Sequence, residues 1–555
     1  MELQKSRLFL IISLFLIGIF LFSEWQREHS VVVSEKEVST TATTPASASD
    51  IPSLSPPPAS ATSVPVTDKA LSAELIEVNT DVLKVKIDPN GGDLILAELV
   101  KYPEKIDSLT PGERILDKSD KRNFVAQTGL IGKDEQGPDS KQFGRAHYVA
   151  AQKQYQMQND PIRVDLLWDQ NKGVKVTKTY VFKPNSYIVQ VIYHIQNATN
   201  APWQGSFYGQ LRRVFHKEDA GGGFLSGIQV YQGAAYYTPD KPYKKLSFSD
   251  MKKKPLKEQV QGGWATFQQH YFLAAWVPQP ESVNQYYTRV DADDTYNIGA
   301  VTAVDVPANG EQTVMGQFYI GPEKADLLKE VSPGLHLTVD YGILWPISML
   351  IFWLLKNIHQ YVGNWGWSII LVTLVIKIMF YKLSAASYRS MGRMRKMQPK
   401  MEALKVKHGD DKAAFSKELM QFYRDEKINP LGGCLPIVIQ IPVFIALYYV
   451  LLESIELRHA PFIFWIRDLS AQDPYYVLPL IMGATMFLQQ RMNPAPPDPI
   501  QAKMMMFMPV VFTALFLSFP AGLVLYWTAN NILSIAQQWW ITRNMDKDTV
   551  PKKGK

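Results

Sequence analysis

The sequence predicts an α-helical polytopic membrane protein that carries a large antiparallel β domain, and three observations lead to this fold class. The apolar residues of the 555-residue chain gather in a short N-terminal run and in the stretch from Tyr341 to Thr542. Between them, residues 71–330 alternate apolar and polar side chains with a period of two. The mean hydropathy of -0.11 resembles that of a soluble protein, so the average conceals a soluble part and a membrane part.

The N-terminal segment, residues 1–23, is typical of a signal anchor. Lys5 and Arg7 precede an apolar run from Leu8 to Phe22. A cleavable signal would continue with a site of small residues, and SEWQREHS offers none. We therefore predict an uncleaved anchor with its N-terminus in the cytoplasm. Residues 24–70 are rich in Ser, Thr, Ala and Pro and predict a disordered periplasmic tether.

Residues 71–330 predict an antiparallel β-sandwich on the periplasmic side. The run from Val82 to Ile87 alternates, and the alternation resumes at Leu94 after Pro89-Asn90-Gly91-Gly92. The segments VKVTKTYVF and YIVQVIYHIQ flank Lys183-Pro184-Asn185-Ser186, which indicates a hairpin with Pro and Asn in its turn. Many short strands with few helical windows favour a large sandwich.

The C-terminal region predicts five membrane spans. The run Ile343–Leu355 has only 13 residues before Lys356, which is short of the roughly 20 that a spanning helix needs. We therefore expect residues 341–363 to form an amphipathic helix on the outer surface. The runs close to the required length are Trp365–Tyr381, Leu435–Leu452, Tyr475–Leu488, Met504–Phe519 and Leu523–Trp540.

Charge placement predicts the orientation of these spans. The loop 384–430 carries 11 Lys and Arg and the tail after Ile541 carries five, whereas the loop 456–474 carries only Arg458 and Arg467. Because Lys and Arg collect on the cytoplasmic side, we place the loop 384–430, the tail 546–555 and both termini in the cytoplasm. If Ile343–Leu355 also crossed the membrane, the loop 384–430 with its 11 positive charges would lie in the periplasm.

Composition excludes several classes of function. A single cysteine, Cys434, rules out a disulfide within the chain. The net charge of +6 is small for this length and predicts no specific nucleic-acid binding. The sequence has no Gly-rich phosphate loop, no HExxH, no G-x-S-x-G and no Cys/His cluster with metal-ligand spacing. We predict no enzyme, no cofactor and no metal.

Lys377 is an ionisable residue within the first predicted span. A lysine at the centre of a membrane helix costs about 2.5–3.5 kcal/mol and by default indicates a functional path. Thr373 lies one turn earlier and Ser384 two turns later, which predicts one polar stripe. The alternative is that Lys377 extends to the headgroups at the cytoplasmic end without a function of its own.

The last span carries a polar face made of Trp527, Asn530, Ser534 and Gln537 at helical spacing, with Asn531 and Gln538 beside it. A helix surrounded by lipid would have no such face. One explanation is hydrogen bonding between helices. The other, which a second cationic face at Lys377 favours, is a hydrated cavity between helices.

The cytoplasmic loop 384–430 predicts a helical hairpin. Its methionines recur on one helical face, and Asp410 follows a turn and can cap the second helix. Methionines adapt to varied apolar partners, so a contact surface for nascent chains is one interpretation. A coiled-coil seam between the two helices is the other. The residues predicted for this contact are Met391, Met394, Arg395 and Met397.

Several segments carry a resemblance to a known family. They are NWGWSIILVTLVIKIMFYKLS, MRKMQPKMEALKVKHGDDK, YRDEKINPLGGCLPIVIQIPVFIALYYVL, PFIFWIRDLSAQDPYYVLPLIMGATMF and FMPVVFTALFLSFPAGLVLYW. Over residues 341–545 the chain resembles the YidC/Oxa/Alb membrane insertases, and the anchor, tether and β domain resemble the Gram-negative form more loosely. NPLGGC before a Pro-interrupted span is the most specific of these features.

The resemblance implies an insertase core of five helices (364–545) around a hydrophilic groove open to cytoplasm and lipid, and a periplasmic β-supersandwich. The family's groove charge is usually arginine, and Lys377 matches that position without the bidentate fork. Trp527 stands where some relatives have tyrosine. The implied groove residues are Lys377, Thr373, Gln440, Tyr526, Trp527, Asn530 and Ser534.

The implied function is insertion and folding of inner-membrane proteins, alone or with the Sec translocon. The implied partners are nascent inner-membrane proteins, SecYEG with accessory Sec proteins, the ribosome or signal-recognition pathway, and membrane lipids. A secondary transporter would instead show paired half-sequences and an acidic residue at mid-membrane. A membrane-anchored carbohydrate enzyme is the other alternative, since the implied β fold is similar to sugar-modifying enzymes.

Overall fold

The computed structural model describes residues 75–106, 111–119, 122–133, 137–140, 144–169, 173–215, 231–291, 293–408, 411–426, 435–493 and 499–548. The predicted anchor (1–23) and tether (24–70) lie outside these residues, as do Cys434 and the end of the tail.

The β domain contains nineteen strands among the described residues. In chain order they are β1 (Ile76–Asn79), β2 (Leu83–Asp88), β3 (Asp93–Pro103), β4 (Gly112–Asp117), β5 (Val125–Gly132), β6 (Val149–Ala150), β7 (Gln154–Gln156), β8 (Ile162–Asp169), β9 (Val174–Phe182), β10 (Ile188–Asn197), β11 (Trp203–Val214), β12 (Gly233–Tyr236), β13 (Lys244–Leu246), β14 (Lys257–Gln261), β15 (Ala265–Gln269), β16 (Phe272–Pro278), β17 (Val283–Val290), β18 (Thr295–Val306) and β19 (Gly310–Pro322).

These strands form two sheets packed face to face. One has ten strands in the order β14-β17-β18-β11-β5-β3-β2-β1-β7, with β4 on β3, and the other has nine in the order β13-β12-β15-β16-β19-β10-β9-β8-β6. All pairs of neighbouring strands among the described residues are antiparallel except the pair of β1 and β7, which is parallel. The predicted class of fold, a helical membrane protein with a large antiparallel β-sandwich, is confirmed.

The predicted hairpin is also present. β9 pairs antiparallel with β10, Phe182 facing Val189 at the turn end. Asn185 has a φ of 54°, a left-handed conformation that Asn tolerates better than most residues. Alternate residues of β8 are buried and exposed, so the period-two pattern reports the two faces of a strand.

Aromatic rings fill the space between the sheets. Tyr193 lies 5.2 Å from Phe207, and Phe207 lies 5.6 Å from Trp276, measured between ring centroids. A Cβ on Gly209 would come within 2.1 Å of the Trp276 ring, so only glycine leaves room for this indole. Apolar burial of this kind is the main favourable term that holds the sheets together.

A buried ionic network lies between the same sheets. Arg145 pairs with Asp93 and with Asp139, whose Oδ2 lies 2.7 Å from Nη1. Lys178 is fully buried and donates to the carbonyls of Gly91 and Gly92, at 3.0 and 2.7 Å. Burial lowers the pKa of Lys178 to about 7, because an ammonium loses its hydration there.

The described helices follow the β domain except for the first. They are α1 (Phe248–Lys253), α2 (Ala325–Val331), α3 (Trp345–Val362), α4 (Trp365–Met379), α5 (Tyr381–Lys396), α6 (Gln398–His408), α7 (Lys412–Asp425), α8 (Leu435–Glu453), α9 (Val477–Met492), α10 (Pro499–Phe516) and α11 (Ala521–Asp548).

Helix α3 lies within the segment 341–363, where the sequence predicts a surface helix. It has 18 residues from Trp345 to Val362, continues past Lys356, and is followed by Gly363 with a φ of 67°. By length and hydropathy, 342–362 is the one single helix of the described chain able to cross a membrane. The argument that this segment is too short was wrong, because Lys356, Asn357 and His359 do not interrupt the helix. Its surface position remains a prediction.

The first predicted span ends in a sharp bend. Helices α4 and α5 meet at Phe380 with an angle of 71°, and they are long and apolar enough to cross a membrane only if the bent pair forms one span. The last helix, α11, packs against α4, α5, α8 and α9. This central position explains why α11 carries polar side chains on more than one face.

The loop predicted as a hairpin contains α5, α6 and α7. Met401 and Tyr423 form its small buried core, and the Tyr423 hydroxyl donates to the Met401 sulfur at 3.4 Å. The N-cap of α7 is Asp411, whose side chain accepts from the amides of Ala413 and Ala414. The prediction of Asp410 as the cap was wrong by one residue, because the helix begins at Lys412.

Candidate functional site

Lys377 lies in the last turn of α4 and faces α11. Its Nζ donates to the Ser534 hydroxyl at 2.7 Å. The Ser534 hydroxyl in turn donates to the Asn530 carbonyl at 2.6 Å. Lys377 is half-buried and has no acidic partner among the described residues. An ammonium is thus held inside a helix bundle by a neutral oxygen.

A second hydrogen bond extends this polar seam to α8. Gln440 donates from Nε2 to Oδ1 of Asn530 at 2.6 Å. One helical turn before Asn530, Tyr526 is buried and its ring lies 6.1 Å from that of Phe444. We call Lys377, Ser534, Asn530 and Gln440 the polar seam. It joins α4, α8 and α11.

Trp527 lies apart from the polar seam, in an aromatic cluster. Its ring centroid is 4.7 Å from Phe444, 5.9 Å from Phe512 and 5.0 Å from Phe516. Spacing alone assigned Trp527 to the polar face. The indole instead packs between α8 and α10, and burial of its large apolar ring explains this position.

The predicted polar stripe of Thr373, Lys377 and Ser384 does not run along one straight helix. The Thr373 hydroxyl donates to the Ile369 carbonyl of its own helix at 2.7 Å, and its side chain is buried. Ser384 belongs to α5, beyond the bend at Phe380. A stripe counted along one straight helix was wrong, because the axis turns between Lys377 and Ser384.

The other polar residues of α11 face α9. Asn531 donates to the Thr485 hydroxyl at 3.3 Å, and Gln538 donates to the Asn493 side chain at 3.2 Å. These bonds between helices are the alternative considered for the polar face, and they explain Asn531 and Gln538. Sequence reasoning missed Thr485 because it is a single hydroxyl in an apolar part of α9, and Asn493 because it lies just after the end of that helix.

Gln537 continues the seam side of α11. Both polar atoms of its side chain are buried without a hydrogen-bond partner in the described part of the chain. A buried amide normally finds partners. Gln537 therefore leaves hydrogen-bonding capacity one turn beyond Ser534.

The four predicted contact residues of the hairpin have different surroundings. Met394 and Met397 pack against the Met401–Tyr423 core, whereas Arg395 is exposed and Met391 is half-buried. The packed methionines fit the coiled-coil seam interpretation. A contact surface for nascent chains remains a prediction for the other two.

These features define a class: a helical membrane protein with a large β domain and a cationic polar seam inside its helix bundle. Two family models match the chain. The model described as 60Kd inner membrane protein matches residues 357–548, and the model described as YidC periplasmic domain matches residues 75–354.

Similar proteins agree with these matches. A membrane protein insertase YidC of Stutzerimonas stutzeri is 46% identical over 566 residues, which cover 99% of this chain and 100% of the relative. One of Pseudomonas putida is 50% identical over 503 residues, covering 90% and 89%. A crystal structure of an active YidC insertase with its first transmembrane domain resolved is 20% identical, covers 83% of this chain and 92% of its own, and has a TM-score of 0.38.

The chain belongs to the YidC family of membrane protein insertases. Members are non-enzymatic insertases and chaperones of the bacterial inner membrane, with a periplasmic domain and nascent membrane proteins as substrates.

Proposed function

We propose that this insertase receives substrates through a hydrophilic groove whose positive charge is Lys377. The observation that carries the proposal is the bond from Lys377 to Ser534, a neutral partner 2.7 Å away. A half-buried lysine without an acidic partner is costly in a membrane protein. An incoming carboxylate would supply the missing counter-charge.

The proposed orientation follows the charge bias of the loops. Both termini and the hairpin 384–430 lie in the cytoplasm, and the β domain lies in the periplasm. The groove then opens toward the cytoplasm, where nascent chains arrive from the ribosome or the signal-recognition pathway. SecYEG with accessory Sec proteins and the surrounding lipids complete the proposed partners.

In the proposed mechanism, a short acidic tail of the substrate enters the polar seam and displaces Ser534 from Lys377. Asn530 and Gln440 offer further hydrogen bonds, and so does the Gln537 amide, which has no partner in the described part of the chain. The apolar segment of the substrate then moves into lipid. Burying about 20 apolar residues at roughly 1.5–3 kcal/mol each releases far more than the tail costs, so no nucleotide is needed.

The test compares Lys377→Arg, Lys377→Ala and Lys377→Glu with the parent in proteoliposomes. Two substrates are used, one with an acidic tail and one with that tail neutralised. Lys377→Arg should keep activity, Lys377→Ala should lose insertion mainly of the acidic substrate, and Lys377→Glu should lose more of it, because like charges repel strongly where water screens poorly. Equal insertion of both substrates by Lys377→Ala and the parent would contradict the role of the charge.

A further inference from the structure

The loop between α8 and α9, residues 454–476, lies at the end of the helix bundle that contacts the β domain. Near its start, Arg458 donates from Nη1 to the Pro103 carbonyl at 2.9 Å and pairs with Glu113 of β4 at 2.8 Å. Because the β domain of this family is periplasmic, we place the α8–α9 loop at the periplasmic surface of the membrane.

The α8–α9 loop is also bonded to two further helices. Asn364, the N-cap of α4, donates from Nδ2 to the Pro461 carbonyl at 3.2 Å. At the start of α11, the amide of Ala521 donates to the Ala471 carbonyl at 2.7 Å. Because α4, α9 and α11 are predicted spans, the loop lies at the depth where hydrocarbon gives way to headgroups.

Aromatic rings of the loop are exposed side by side. Phe464 is 85% exposed and Tyr475 is 68% exposed. The Phe464 ring stacks on the Trp465 ring with centroids 5.9 Å apart, and the Tyr475 ring lies edge-on to the Trp465 ring at 6.3 Å. Tyr476, the N-cap of α9, follows Tyr475 and is also exposed. We call these four residues the aromatic patch.

The backbone is strained at two residues of the aromatic patch. Phe464 and Tyr476 have φ angles of 53° and 55°, a left-handed conformation that bulky side chains avoid. Seven non-glycine residues of the described chain have positive φ, and four of them are Asn or Asp, which adopt it more readily. Strained backbone persists only where its surroundings hold it, and it gathers at functional sites. The two aromatic side chains are therefore candidates for a role of their own.

A buried aspartate holds the aromatic patch in place. Asp473 is 2% exposed and accepts from Nε1 of Trp465 at 2.9 Å. It also accepts from the amides of Tyr475 and Leu478, at 3.0 and 2.7 Å. The polar N–H of the indole is thus satisfied inside the protein, while the neighbouring rings stay exposed. The aromatic patch is a preformed surface.

The aromatic patch continues into the apolar side of α9. Leu480 and Ile481, in the first two turns of that helix, are 60% and 44% exposed, and in a spanning helix such side chains face lipid. Trp and Tyr are enriched where a membrane meets water, because their rings are apolar and their N–H and O–H groups are polar. Continuity with a lipid-facing surface favours lipid over a soluble protein as the partner of the patch.

We propose that the aromatic patch binds the lipid interface of the periplasmic leaflet. The Phe464 ring lies among the upper acyl chains, and the hydroxyls of Tyr475 and Tyr476 lie at the headgroups. This contact anchors the periplasmic ends of α4, α9 and α11, which are bonded to the loop. The proposal rests on the spans predicted for these helices and does not depend on the charge of Lys377.

The test places a fluorophore on the aromatic patch of the full-length protein in vesicles of phosphatidylethanolamine and phosphatidylglycerol. Cys434→Ala first removes the single cysteine, and Phe464→Cys is then labelled with nitrobenzoxadiazole. The matched control is Val283→Cys, at a 53% exposed residue of β17. Lipids spin-labelled near the headgroup should quench the label at 464 roughly twofold, because an interfacial ring lies about 5–10 Å into the headgroup and acyl boundary. The label at 283 should keep its emission and stay accessible to iodide.

Each other outcome overturns the proposal. A label at 464 that iodide quenches as strongly as the control would place the patch in water. A label shielded from iodide but not quenched by spin-labelled lipid would show that protein covers the patch, such as the N-terminal anchor of the same chain. Stronger quenching by labels deep in the acyl chains would place the loop within the hydrocarbon.

Tyr475→Cys provides a second labelling position if Phe464→Cys does not fold, and the same outcomes apply to it. No insertion is measured in this experiment. Failure of the lipid contact would therefore leave the proposed role of Lys377 untouched, and failure of that role would leave the lipid contact untouched.

Discussion

Lys377 and Ser534 are 157 positions apart in the chain, yet the lysine Nζ lies 2.7 Å from the serine Oγ. This bond joins α4 to α11. Without it, the flexible lysine stem could carry its ammonium to the headgroups, where a charge is cheaper. Ser534 therefore acts in our proposal as a positioning residue that keeps the charge inside the bundle.

The first prediction is that Ser534→Ala reduces insertion of substrates with acidic tails by about threefold to tenfold, in line with one lost hydrogen bond to a charged group. Substrates with neutral tails should be inserted as by the parent. Ser534→Thr keeps a hydroxyl and is the matched control. In the background of Lys377→Ala, Ser534→Ala should have little further effect. Equal losses for both kinds of substrate would indicate a structural role only.

Much of the fold could be predicted from the sequence because its signals are local. The alternation of β8 and the turn at Asn185 report contacts between neighbours in the chain. The apolar run Ile343–Leu355 was taken as too short to span because Lys356, Asn357 and His359 are polar, but these residues continue the same helix. Among them, Lys356 pairs with Asp326 of α2 at 2.6 Å.

The site was harder to predict because its contacts connect distant segments. Helical spacing assigned Trp527 and Asn530 to one face, but only the positions of α8 and α10 decide that Trp527 meets aromatic rings. The 71° bend at Phe380 has no proline or glycine to signal it. The sequence could predict that the residues of the polar seam are polar and lie in membrane helices. It could not predict which of them form hydrogen bonds with each other.

The second prediction concerns the buried network of the β domain. Lys178→Met should be tolerated, because the carbonyls of Gly91 and Thr128 also accept from Arg145, and that of Gly92 accepts from Tyr180. The thioether would also suit the surrounding tyrosine rings. Arg145→Met removes the partner of two buried carboxylates and should destabilise by about 3–5 kcal/mol. Thermal unfolding of the full-length variants, followed by the β-sheet circular dichroism, distinguishes the two.

The third prediction is the pH dependence of the same network. Because the pKa of Lys178 falls to about 7 in the folded protein, the unfolded chain binds more protons between pH 7 and the ordinary lysine pKa. Stability from this group should therefore rise with pH across that window. Lys178→Met should be more stable than the parent at pH 6, by on the order of a few kcal/mol, and the difference should narrow by pH 9. A pH-independent difference would show that Lys178 does not titrate there.

The fourth prediction concerns the basic surface of the cytoplasmic hairpin. Arg393, Arg395 and Lys396 are exposed, and Lys400 pairs with Glu426 at 2.8 Å. Replacing all four by Gln should weaken binding to ribosomes or anionic vesicles and flatten its salt dependence, because the attraction is collective. Losing the exposed ion pair between Lys400 and Glu426 should lower the free energy of unfolding only slightly. The control replaces four exposed lysines of the β domain, namely Lys252, Lys253, Lys254 and Lys257. If the salt dependence is the same in both variants, the hairpin is not the electrostatic contact.

The last prediction is that helix α3 must be intact for insertion. One side of α3 packs on α8, where the Ser348 hydroxyl donates to the Ala446 carbonyl at 3.1 Å. Leu350 points away from this contact and is 63% exposed, so Leu350→Ala should remove no packing and leave activity unchanged. Leu350→Pro removes the hydrogen bond from residue 350 to the Pro346 carbonyl and costs about 3 kcal/mol or more.

The two variants therefore separate the backbone of α3 from its side chain. Leu350→Pro should bend the helix away from α8 and lower insertion of acidic and neutral substrates alike, since α3 lies apart from Lys377. Proteoliposome insertion at matched protein amounts, with intact β-domain circular dichroism as the folding control, measures this. Normal insertion by Leu350→Pro would show that continuous helical structure in α3 is not required, whereas a matching loss in Leu350→Ala would assign the effect to the exposed leucine.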